Sequence, residues 1–466
     1  MARIPPTNAR GTRDYLPRDL VRRNRVFAVL RETFERYGYE PLETPAVENT
    51  AVLEGKYGEE GDRLLFRVLK RGRELQSGAE AVAQLPPEQR TSATLARALS
   101  DEALRYDLTV PFARVIAAHQ NEIVLPFRRY QMQPVWRADK PQRGRYREFY
   151  QCDVDCVGSR SMSVDAEMVA IHHEVFARLG FAAFVTKINH RGLLRALMEV
   201  AGVPEEQRVP ALTAIDKLDK VGLDGVRAEL EKAGLAAPAI ARLMALIAIS
   251  GSPEEVIAGL RPLLGENAEG VRALDELAAV FRCAGEMGVP AERVTFDLSL
   301  VRGLGYYTGP IFETVLTNSS LGSLGGGGRY DQLIGQFLGR DLPCTGISFG
   351  LDRIFDALDE QGLAVTEATT TTQALVTLFA ETQPAAFALA SELREAGIRT
   401  EAYPEPKDLR TQLTFANKKG IPLAVILGPD ELSAGAVVLR DLRTGTQRAV
   451  PRGEAVAQAQ ALLGEE

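Results

Sequence analysis

The chain is poor in the residues that build metal sites and disulfide frameworks. Its 466 residues include only four cysteines and four histidines. No C-x-x-C or H-E-x-x-H cluster joins them, which argues against structural zinc, zincin chemistry and a disulfide scaffold. Unpaired thiols suit a reducing compartment, so we expect a cytoplasmic protein.

Long apolar runs are equally scarce. The longest, residues 243–249, is far shorter than the ~20 residues needed to span a bilayer. The first twenty residues contain no apolar stretch of the kind found in signal peptides. We therefore expect neither secretion nor a membrane partner.

The two usual glycine-rich phosphate cradles are missing as well. Neither G-x-x-x-x-G-K-[ST] nor G-x-G-x-x-G occurs, so nucleotide binding would have to use arginines. Arg302 follows an alternating strand pattern, and Arg353 lies in the first turn of a predicted helix, where anions are favoured. Each could equally form an ordinary surface ion pair. The glycine run 325–328 indicates either a flexible turn or a close approach of backbone to a ligand.

Charge and length set broad limits on function. The 62 acidic and 55 basic side chains give a formal net charge of −7, which is not typical of a general polyanion binder. A local basic loop could still contact RNA. The length corresponds to about three structural units, and a chain of this size can bury a core without disulfides or metal.

Apolar periodicity divides the first half of the chain into helical and extended regions. We predict an amphipathic helix over residues 20–37, then a proline-containing strand over 39–47 that suits a sheet edge or interface. Two strands flank the charged loop 139–147. Residues 159–205 have a helical pattern, and residues 206–290 are predicted to form a helical insertion.

Strand patterns return in the second half. Strands are predicted over residues 293–301 and 309–316, followed by a helical segment at 329–337 and a strand, TGISFG, that leads into the helix LDRIFDAL. After a threonine-rich linker, strands and helices alternate over 374–466, which predicts a small α/β domain.

The strand beginning at Phe149 carries the most chemical information. Alternate residues of a strand share a face, so Phe149, Gln151, Asp153 and Asp155 would line one side. One interpretation is a strand with a solvated polar face. The other is a pocket floor on which an aromatic ring stacks and carboxylates bind a cationic or N–H-bearing group.

A basic loop precedes this strand. It is either solvated surface or the cationic end of a site whose other end is acidic, which would accept a phosphate and an amine together. The strand before the loop ends at Arg137, and the loop itself contributes Lys140, Arg143, Arg145 and Arg147.

Taken together and in order, these segments resemble the class II aminoacyl-tRNA synthetases, specifically the histidyl-tRNA synthetase family. GTRDYLP, the helix after it and the strand with Pro45 are similar to motif 1, VWRADKPQRGRYREFYQCDVDCVG to motif 2 and GISFGLDRI to motif 3. LVRGLGYYTGPIFE and GGGGRYDQL resemble the two histidine signatures. The tail resembles the family's anticodon-binding domain, so the likeness covers almost the whole chain.

The resemblance implies a fold and a domain order. It implies an α+β catalytic domain, with the class II antiparallel sheet flanked by helices and a helical insertion, a C-terminal α/β anticodon-binding domain, and a homodimer formed partly through motif 1. Residues 56–101 have no clear counterpart. The implied boundaries are 1–205 and 291–360 for the catalytic domain, 206–290 for the insertion, 361–373 for the linker and 374–466 for the anticodon-binding domain.

The resemblance also implies an activity, which is ATP-dependent attachment of L-histidine to tRNA(His) through histidyl-adenylate, with Mg²⁺ accompanying ATP. Arg302 and Arg137 would be catalytic at the α-phosphate. ATP would further contact Arg145, Phe149 (near adenine) and Arg353 (γ-phosphate). Histidine would contact Asp107, Gln151, Asp155, Arg302, Tyr306 and Tyr307. The tRNA would contact Gln142, Arg143, Lys407, Arg410, Lys418 and Lys419, although a solvated helix face explains the last four equally well.

The sequence departs from the family pattern at three positions, and two other functions are alternatives. Asp107 and Asp155 stand where many members carry Glu, and Gly305 where many carry Asp or Asn. One alternative is a regulatory subunit of histidine biosynthesis, which resembles the catalytic core but generally lacks the anticodon-binding domain. Another is a class II synthetase for a different amino acid. The tail and the retained arginines favour the histidine enzyme.

Overall fold

The computed structural model describes residues 4–56, 58–142, 144–301 and 306–464. The chain forms two compact units. The first comprises the residues up to Arg13 together with Val29–Leu363, and the second comprises Asp14–Ala28 together with the chain from Ala364 onward. Within the described ranges, no helix is both long and apolar enough to cross a membrane.

The first unit is built on an eight-stranded sheet of order β1-β5-β6-β11-β10-β9-β7-β8. All pairs between β5 and β7 are antiparallel, whereas β1 and β8 are parallel to their neighbours at the two edges. The predicted antiparallel catalytic sheet is therefore confirmed. The strands of this unit are β1 (Glu40–Pro41), β2 (Val47–Asn49), β3 (Arg67–Val68), β4 (Glu102–Leu104), β5 (Phe127–Trp136), β6 (Glu148–Val157), β7 (Phe184–His190), β8 (Val294–Phe296), β9 (Pro310–Leu316), β10 (Gly325–Arg329) and β11 (Cys344–Gly350).

Helices cover the sheet and form the insertion. Helices α9 to α13 occupy the region where a helical insertion is predicted, and α13 packs on α7 and α8. The helices up to residue 363 are α1 (Pro17–Arg36), α2 (Thr50–Leu53), α3 (Gly58–Arg63), α4 (Gly72–Ala83), α5 (Ser92–Leu99), α6 (Thr109–Ala118), α7 (Met162–Arg178), α8 (Arg191–Ala201), α9 (Glu205–Ile215), α10 (Leu218–Lys232), α11 (Ala237–Ile247), α12 (Pro253–Leu264), α13 (Ala268–Glu286), α14 (Gly335–Leu338) and α15 (Leu351–Glu360).

The two faces of the eight-stranded sheet differ in chemistry. One face packs an aromatic core, in which the ring centroid of Phe349 lies 5.8 Å from that of Phe34 and 5.7 Å from that of Phe176. Cys152 and Val154 of β6 are fully buried, and Cys152 pairs with Phe349 across the ladder. The alternate residues of β6, among them Asp153, point to the opposite face, where the site lies.

Four sequence predictions need correction. The helical pattern over 159–205 is interrupted by β7, an inner strand whose short alternation lies between two long helices. Of the two alternatives for the glycine run 325–328, the flexible turn is wrong, because the run pairs with β9 and β11 as part of strand β10. The helix predicted over 329–337 shrinks to α14. The strand predicted over 293–301 is limited to β8.

Part of the region 56–101, which the resemblance left without a counterpart, joins a small sheet, in which β3 pairs with β4 just after that region. Strands β2, β4 and β3 make a three-stranded antiparallel sheet in that order. Helices α4 and α5 pack together beside it, and Thr91 caps the start of α5 by accepting a hydrogen bond from the Thr94 N–H.

The second unit is a five-stranded sheet of order β13-β12-β14-β15-β16 with helices between its strands. Strand β12 is parallel to both neighbours, and β15 and β16 form an antiparallel hairpin, which confirms the predicted α/β domain. Its elements are β12 (Ala374–Val376), α16 (Gln383–Glu395), β13 (Thr400–Ala402), α17 (Leu409–Lys419), β14 (Leu423–Ile426), α18 (Pro429–Ser433), β15 (Ala436–Asp441), β16 (Gln447–Pro451) and α19 (Ala455–Gly464).

Candidate active site

A cavity of about 450 Å³ lies on the polar face of the eight-stranded sheet. Its walls come from β6, β10, β11, the loop 139–147, the start of α15 and Arg137, which directly follows β5. Asp153 and Asp155 line it and are only 2% and 3% exposed, so this face of β6 is a pocket floor and not a solvated surface. Nine residues predicted from the sequence line the cavity: Asp107, Arg137, Arg145, Phe149, Gln151, Asp155, Tyr306, Tyr307 and Arg353.

The remaining predicted residues do not line this cavity or lie outside the described residues. Arg143, Arg302 and Gly305 belong to the latter group. Gln142 lies in the loop, where its backbone exchanges hydrogen bonds with Arg145, but it is not part of the cavity lining. The predicted tRNA-binding residues of the second unit are exposed on or beside α17, where Lys419 pairs with Glu401; they are Lys407, Arg410, Lys418 and Lys419.

The acidic end of the cavity is organised around Asp155. Its Oδ2 lies 2.7 Å from Nη2 of Arg129, which is fully buried, and the Tyr330 hydroxyl donates a hydrogen bond to Oδ1. A Cβ at Gly346, the residue paired with Asp155 on β11, would lie 1.9 Å from Oδ1. Glycine at 346 therefore leaves the space that this carboxylate occupies.

A second carboxylate shares this end of the cavity. Burial raises the pKa of Asp153 to about 7, although the positive charge of Arg129 opposes the shift. Burial also raises the pKa of Asp155. The guanidinium of Arg129 thus offsets the negative charge of two buried carboxylates. Oδ1 of Asp153 has no hydrogen-bond partner among the described residues. This end of the cavity favours a ligand that brings positive charge or N–H donors.

Tyrosine side chains form the wall beside the carboxylates. The ring centroids of Tyr306 and Tyr307 are 4.4 Å apart, and their hydroxyl oxygens are 3.3 Å apart. The ring of Tyr330 meets Tyr306 edge-on at 6.0 Å. Burial raises the pKa of both Tyr306 and Tyr330 well above 10, so both hydroxyls remain protonated donors near neutral pH.

The opposite end of the cavity is cationic. Arg137 follows β5 and donates from Nε to the Tyr106 carbonyl oxygen at 3.0 Å and from Nη2 to Gln151 Oε1 at 3.2 Å. Its guanidinium carbon lies 4.3 Å from the centroid of the Tyr106 ring and 5.2 Å from that of Phe149. Gln151 in turn donates to Ser348 Oγ at 2.9 Å. These contacts fix the direction of the guanidinium.

Two further arginines complete this end. Arg353 lies in the first turn of α15, where it donates to the Ser323 carbonyl oxygen at 2.9 Å. Arg145, in the loop, pairs with Asp139 at 2.7 Å. Because a helix N-terminus also favours anions, the cavity can bind a polyanion at one end and a cationic or N–H-rich group at the other.

Arg129 and Tyr330 both contact Asp155, and neither of them is predicted from the sequence as a site residue. Arg129 is directly opposite Asp155 in the β5–β6 ladder, and Tyr330 lies within the segment GGGGRYDQL. A buried arginine in a strand that faces an acidic strand is a signal that could have identified Arg129, because a buried charge needs a partner.

The fold and this bipolar cavity define a class II aminoacyl-tRNA synthetase. The family model for histidyl-tRNA synthetase matches residues 88–354, and the model for the anticodon binding domain matches residues 371–462. The chain belongs to the histidyl-tRNA synthetase family.

Individual relatives agree with this placement. The histidine–tRNA ligase of Cytophaga hutchinsonii is 42% identical over 97% of this chain and 98% of the relative. The crystal structure of histidyl-tRNA synthetase from Nostoc sp. PCC 7120 aligns with a TM-score of 0.83 at 32% identity, covering 98% of this chain and all of that one. An ATP phosphoribosyltransferase regulatory subunit/histidyl-tRNA synthetase from Bacillus halodurans C aligns with a TM-score of 0.70 at 24% identity, over 89% of this chain and 97% of that one, which shows a common fold only.

Proposed function

We propose that this protein attaches L-histidine to tRNA(His) in an ATP-dependent reaction that passes through histidyl-adenylate and releases pyrophosphate and AMP. The observation that carries the proposal is the bipolar cavity, in which Arg137, Arg145 and Arg353 face one end and two buried carboxylates face the other. ATP and histidine, the substrates of adenylate formation, have this distribution of charge.

ATP occupies the cationic end in this proposal. Arg137 contacts the α-phosphate, Arg353 the γ-phosphate, and Arg145 supports the phosphates, while Phe149 stacks near adenine. Three guanidinium groups suit this task because each can bind phosphate oxygens in a bidentate manner.

Mg²⁺ enters with ATP in this proposal. The described part of the chain has no cluster of three or more His, Cys, Asp or Glu that could hold a metal. Mg²⁺ commonly binds through substrate phosphates and water with one or two carboxylates, so it would need no such cluster. When bound, the ion neutralises phosphate charge.

Histidine occupies the acidic end. Asp155, held by Arg129 and Tyr330, accepts an imidazole N–H with an oxygen lone pair that these two donors leave free. Tyr306 and Tyr307 surround the ring, and Asp107 and Gln151 contact the amino end of the substrate. A site of this kind rejects isosteres that lack the N–H, because its buried acceptors would then remain unpaired.

Adenylate formation needs no strong base at this site. The histidine carboxylate is ionised near neutral pH and attacks the α-phosphorus, and pyrophosphate leaves. The rate then depends on alignment and on stabilisation of charge at the phosphorus. Arg137 supplies one cation there, and Arg302, outside the described residues, is assigned the second from its place in the signature.

Transfer to tRNA follows. A ribose hydroxyl of the terminal tRNA nucleotide attacks the adenylate carbonyl, a new ester bond forms, and AMP leaves with the electrons of the broken bond. Gln142 and Arg143 of the loop approach the acceptor end. The anticodon stem-loop is bound by residues on or beside α17, namely Lys407, Arg410, Lys418 and Lys419.

The assembly and location belong to the same proposal. We propose a homodimer formed partly through motif 1. We also place the protein in the cytoplasm, since its four cysteines are all free thiols, as a reducing compartment requires.

Histidine-dependent ATP–pyrophosphate exchange followed by charging of tRNA(His) tests the function. We expect both activities with histidine, and neither with other amino acids tested as controls. A regulatory paralogue would bind histidine without either activity. Well-folded protein that fails both assays would overturn the proposal.

A further inference from the structure

The N-terminal segment that ends at Arg13 touches two walls of the cavity. Arg13 Nη1 donates to the Tyr146 hydroxyl at 2.9 Å, and its guanidinium carbon lies 4.0 Å from the centroid of the Tyr146 ring. The same side chain forms an ion pair with Asp352. Tyr146 lies in the loop 139–147 and Asp352 in the first turn of α15, and both line the cavity.

The backbone before Arg13 is seated directly on the loop. The Arg147 N–H donates to the Gly11 carbonyl oxygen at 2.8 Å. Gly11 has a φ of +84°, and a Cβ there would lie 2.8 Å from Arg147 Cγ and 2.9 Å from Pro141 Cγ. Glycine at position 11 therefore permits this close approach, which delivers the Arg13 side chain to the rim of the cavity.

The two partners of Arg13 are each adjacent to an arginine of the cationic end. Arg145 precedes Tyr146, and Arg353 follows Asp352. The loop and α15 also lie close together, since a Cβ at Gly144 would be 3.0 Å from Asp356 Oδ2. Arg13 thus links the element that carries one phosphate-binding arginine to the element that carries the other.

The positive charge of Arg13 has a second effect, on Asp352. The side chain of Asp352 is only 6% exposed and lines the cavity at its cationic end. A carboxylate in that place would repel a triphosphate and attract Arg353. The Arg13 guanidinium offsets this negative charge from the rim.

We propose that Arg13 is a positioning residue for the nucleoside triphosphate, which by bridging Tyr146 and Asp352 holds Arg145 and Arg353 in their binding positions before the ligand arrives. The inference rests on the proposed function, in which these arginines bind the phosphates. Holding them in place beforehand lowers the ordering cost of binding.

The test compares Arg13→Ala with Arg13→Lys and with Arg10→Ala in the full chain. Arg10 is an exposed arginine of the same segment that forms no ion pair with the described residues. ATP–pyrophosphate exchange is measured against ATP at saturating histidine and against histidine at saturating ATP. We expect Arg13→Ala to raise KM for ATP about tenfold and to leave KM for histidine within about twofold. Arg13→Lys should recover part of the loss because it keeps the charge beside Asp352, and Arg10→Ala should match wild type.

Calorimetric measurement of ATP binding distinguishes failure of this inference from failure of the proposed function. Weaker ATP binding by Arg13→Ala supports the inference even if the wild type fails in exchange, whereas equal ATP affinity overturns it. An equal loss of ATP and histidine affinity would indicate a general structural role and would also overturn it. If Arg13→Ala does not fold, the Arg13→Lys and Tyr146→Phe variants are tested in its place. A larger loss of affinity for ATP than for histidine supports the inference, and equal losses overturn it.

Discussion

Arg129 of β5 and Asp155 of β6 face each other across one rung of the antiparallel ladder, and their side chains form a buried ion pair with 2.7 Å between Nη2 and Oδ2. The guanidinium carbon of Arg129 also lies 4.2 Å from the centroid of the Phe112 ring. The proposed imidazole acceptor is therefore not a free carboxylate. It is held by an arginine that is fully buried and is not part of the cavity lining.

Replacing Arg129 should destabilise the whole protein. Arg129→Met leaves Asp155 buried without its cation, and loss of one partner of a buried pair costs about 3–5 kcal/mol. The free energy of unfolding in urea measures this. The control is Arg128→Met, because Arg128 pairs with Glu167 at 3.3 Å and is 41% exposed, so its loss should cost under about 1 kcal/mol. Equal effects at the two positions would contradict the prediction.

The raised pKa of Asp153 predicts a dependence of stability on pH. Its pKa rises from 3.8 to about 7 on folding, so the folded state holds this proton more tightly than the unfolded chain does. The free energy of unfolding from this group therefore falls as pH rises between these values and levels off above them. Asp153→Asn should gain stability relative to wild type on going from about pH 5 to about pH 8. The exposed Asp101→Asn serves as control, and parallel pH profiles for wild type and Asp153→Asn would refute the prediction.

Glycine at 346 should be required for histidine binding. Gly346→Ala places a methyl group where Asp155 Oδ1 now lies, so the carboxylate or β11 must move. We expect at least about a hundredfold loss of kcat/KM for histidine, since active-site shifts near 1 Å have effects of this size. Exchange assays at varied histidine measure it. Gly285→Ala in α13, where a Cβ meets nothing within 4 Å, should leave the activity unchanged.

Much of the fold could be predicted from local patterns. The strands β5 and β6 flank the predicted charged loop, α15 follows the strand TGISFG as predicted, and strands and helices alternate in the second unit. Strand β7 was missed because its seven residues lie between the long helices α7 and α8. In such a position a short strand looks like part of a helical region.

The candidate site shows a similar division. Asp155 and Arg137, which line the cavity, could be predicted as site residues because each lies in a segment that resembles a family motif. Arg129 and Arg13 were not found, because their roles depend on contacts across the fold. The register of β5 against β6 brings Arg129 to Asp155, and the path of the N-terminal segment brings Arg13 to Asp352. Spacing along the chain does not reveal either contact.

Ser348 should influence catalysis through Gln151. Its Oγ accepts the Gln151 amide N–H at 2.9 Å, and Gln151 Oε1 accepts from Arg137 at 3.2 Å. Ser348→Ala removes this acceptor together with the hydrogen bond between Ser348 and Asp153 and should lower kcat/KM in exchange by about fivefold to twentyfold. Ser348→Thr keeps the hydroxyl and should restore most of the activity. Equal activity of the Ala and Thr variants would show that the hydroxyl has no part in holding Gln151.

The exposed basic residues around α17 should affect tRNA charging without affecting adenylate formation. The double variant Arg410→Glu/Lys418→Glu reverses the charge of two of these side chains, which would contact RNA phosphates. Loss of such contacts weakens RNA binding in a salt-dependent way. We expect KM for tRNA(His) to rise at least about tenfold while histidine-dependent exchange stays at the wild-type rate. The matched control, Arg448→Glu, reverses an exposed charge on the edge strand β16 and should leave both activities unchanged. Because α17 belongs to the second unit and the cavity to the first, a fall in exchange with the double variant would argue against separate sites for anticodon binding and adenylate chemistry.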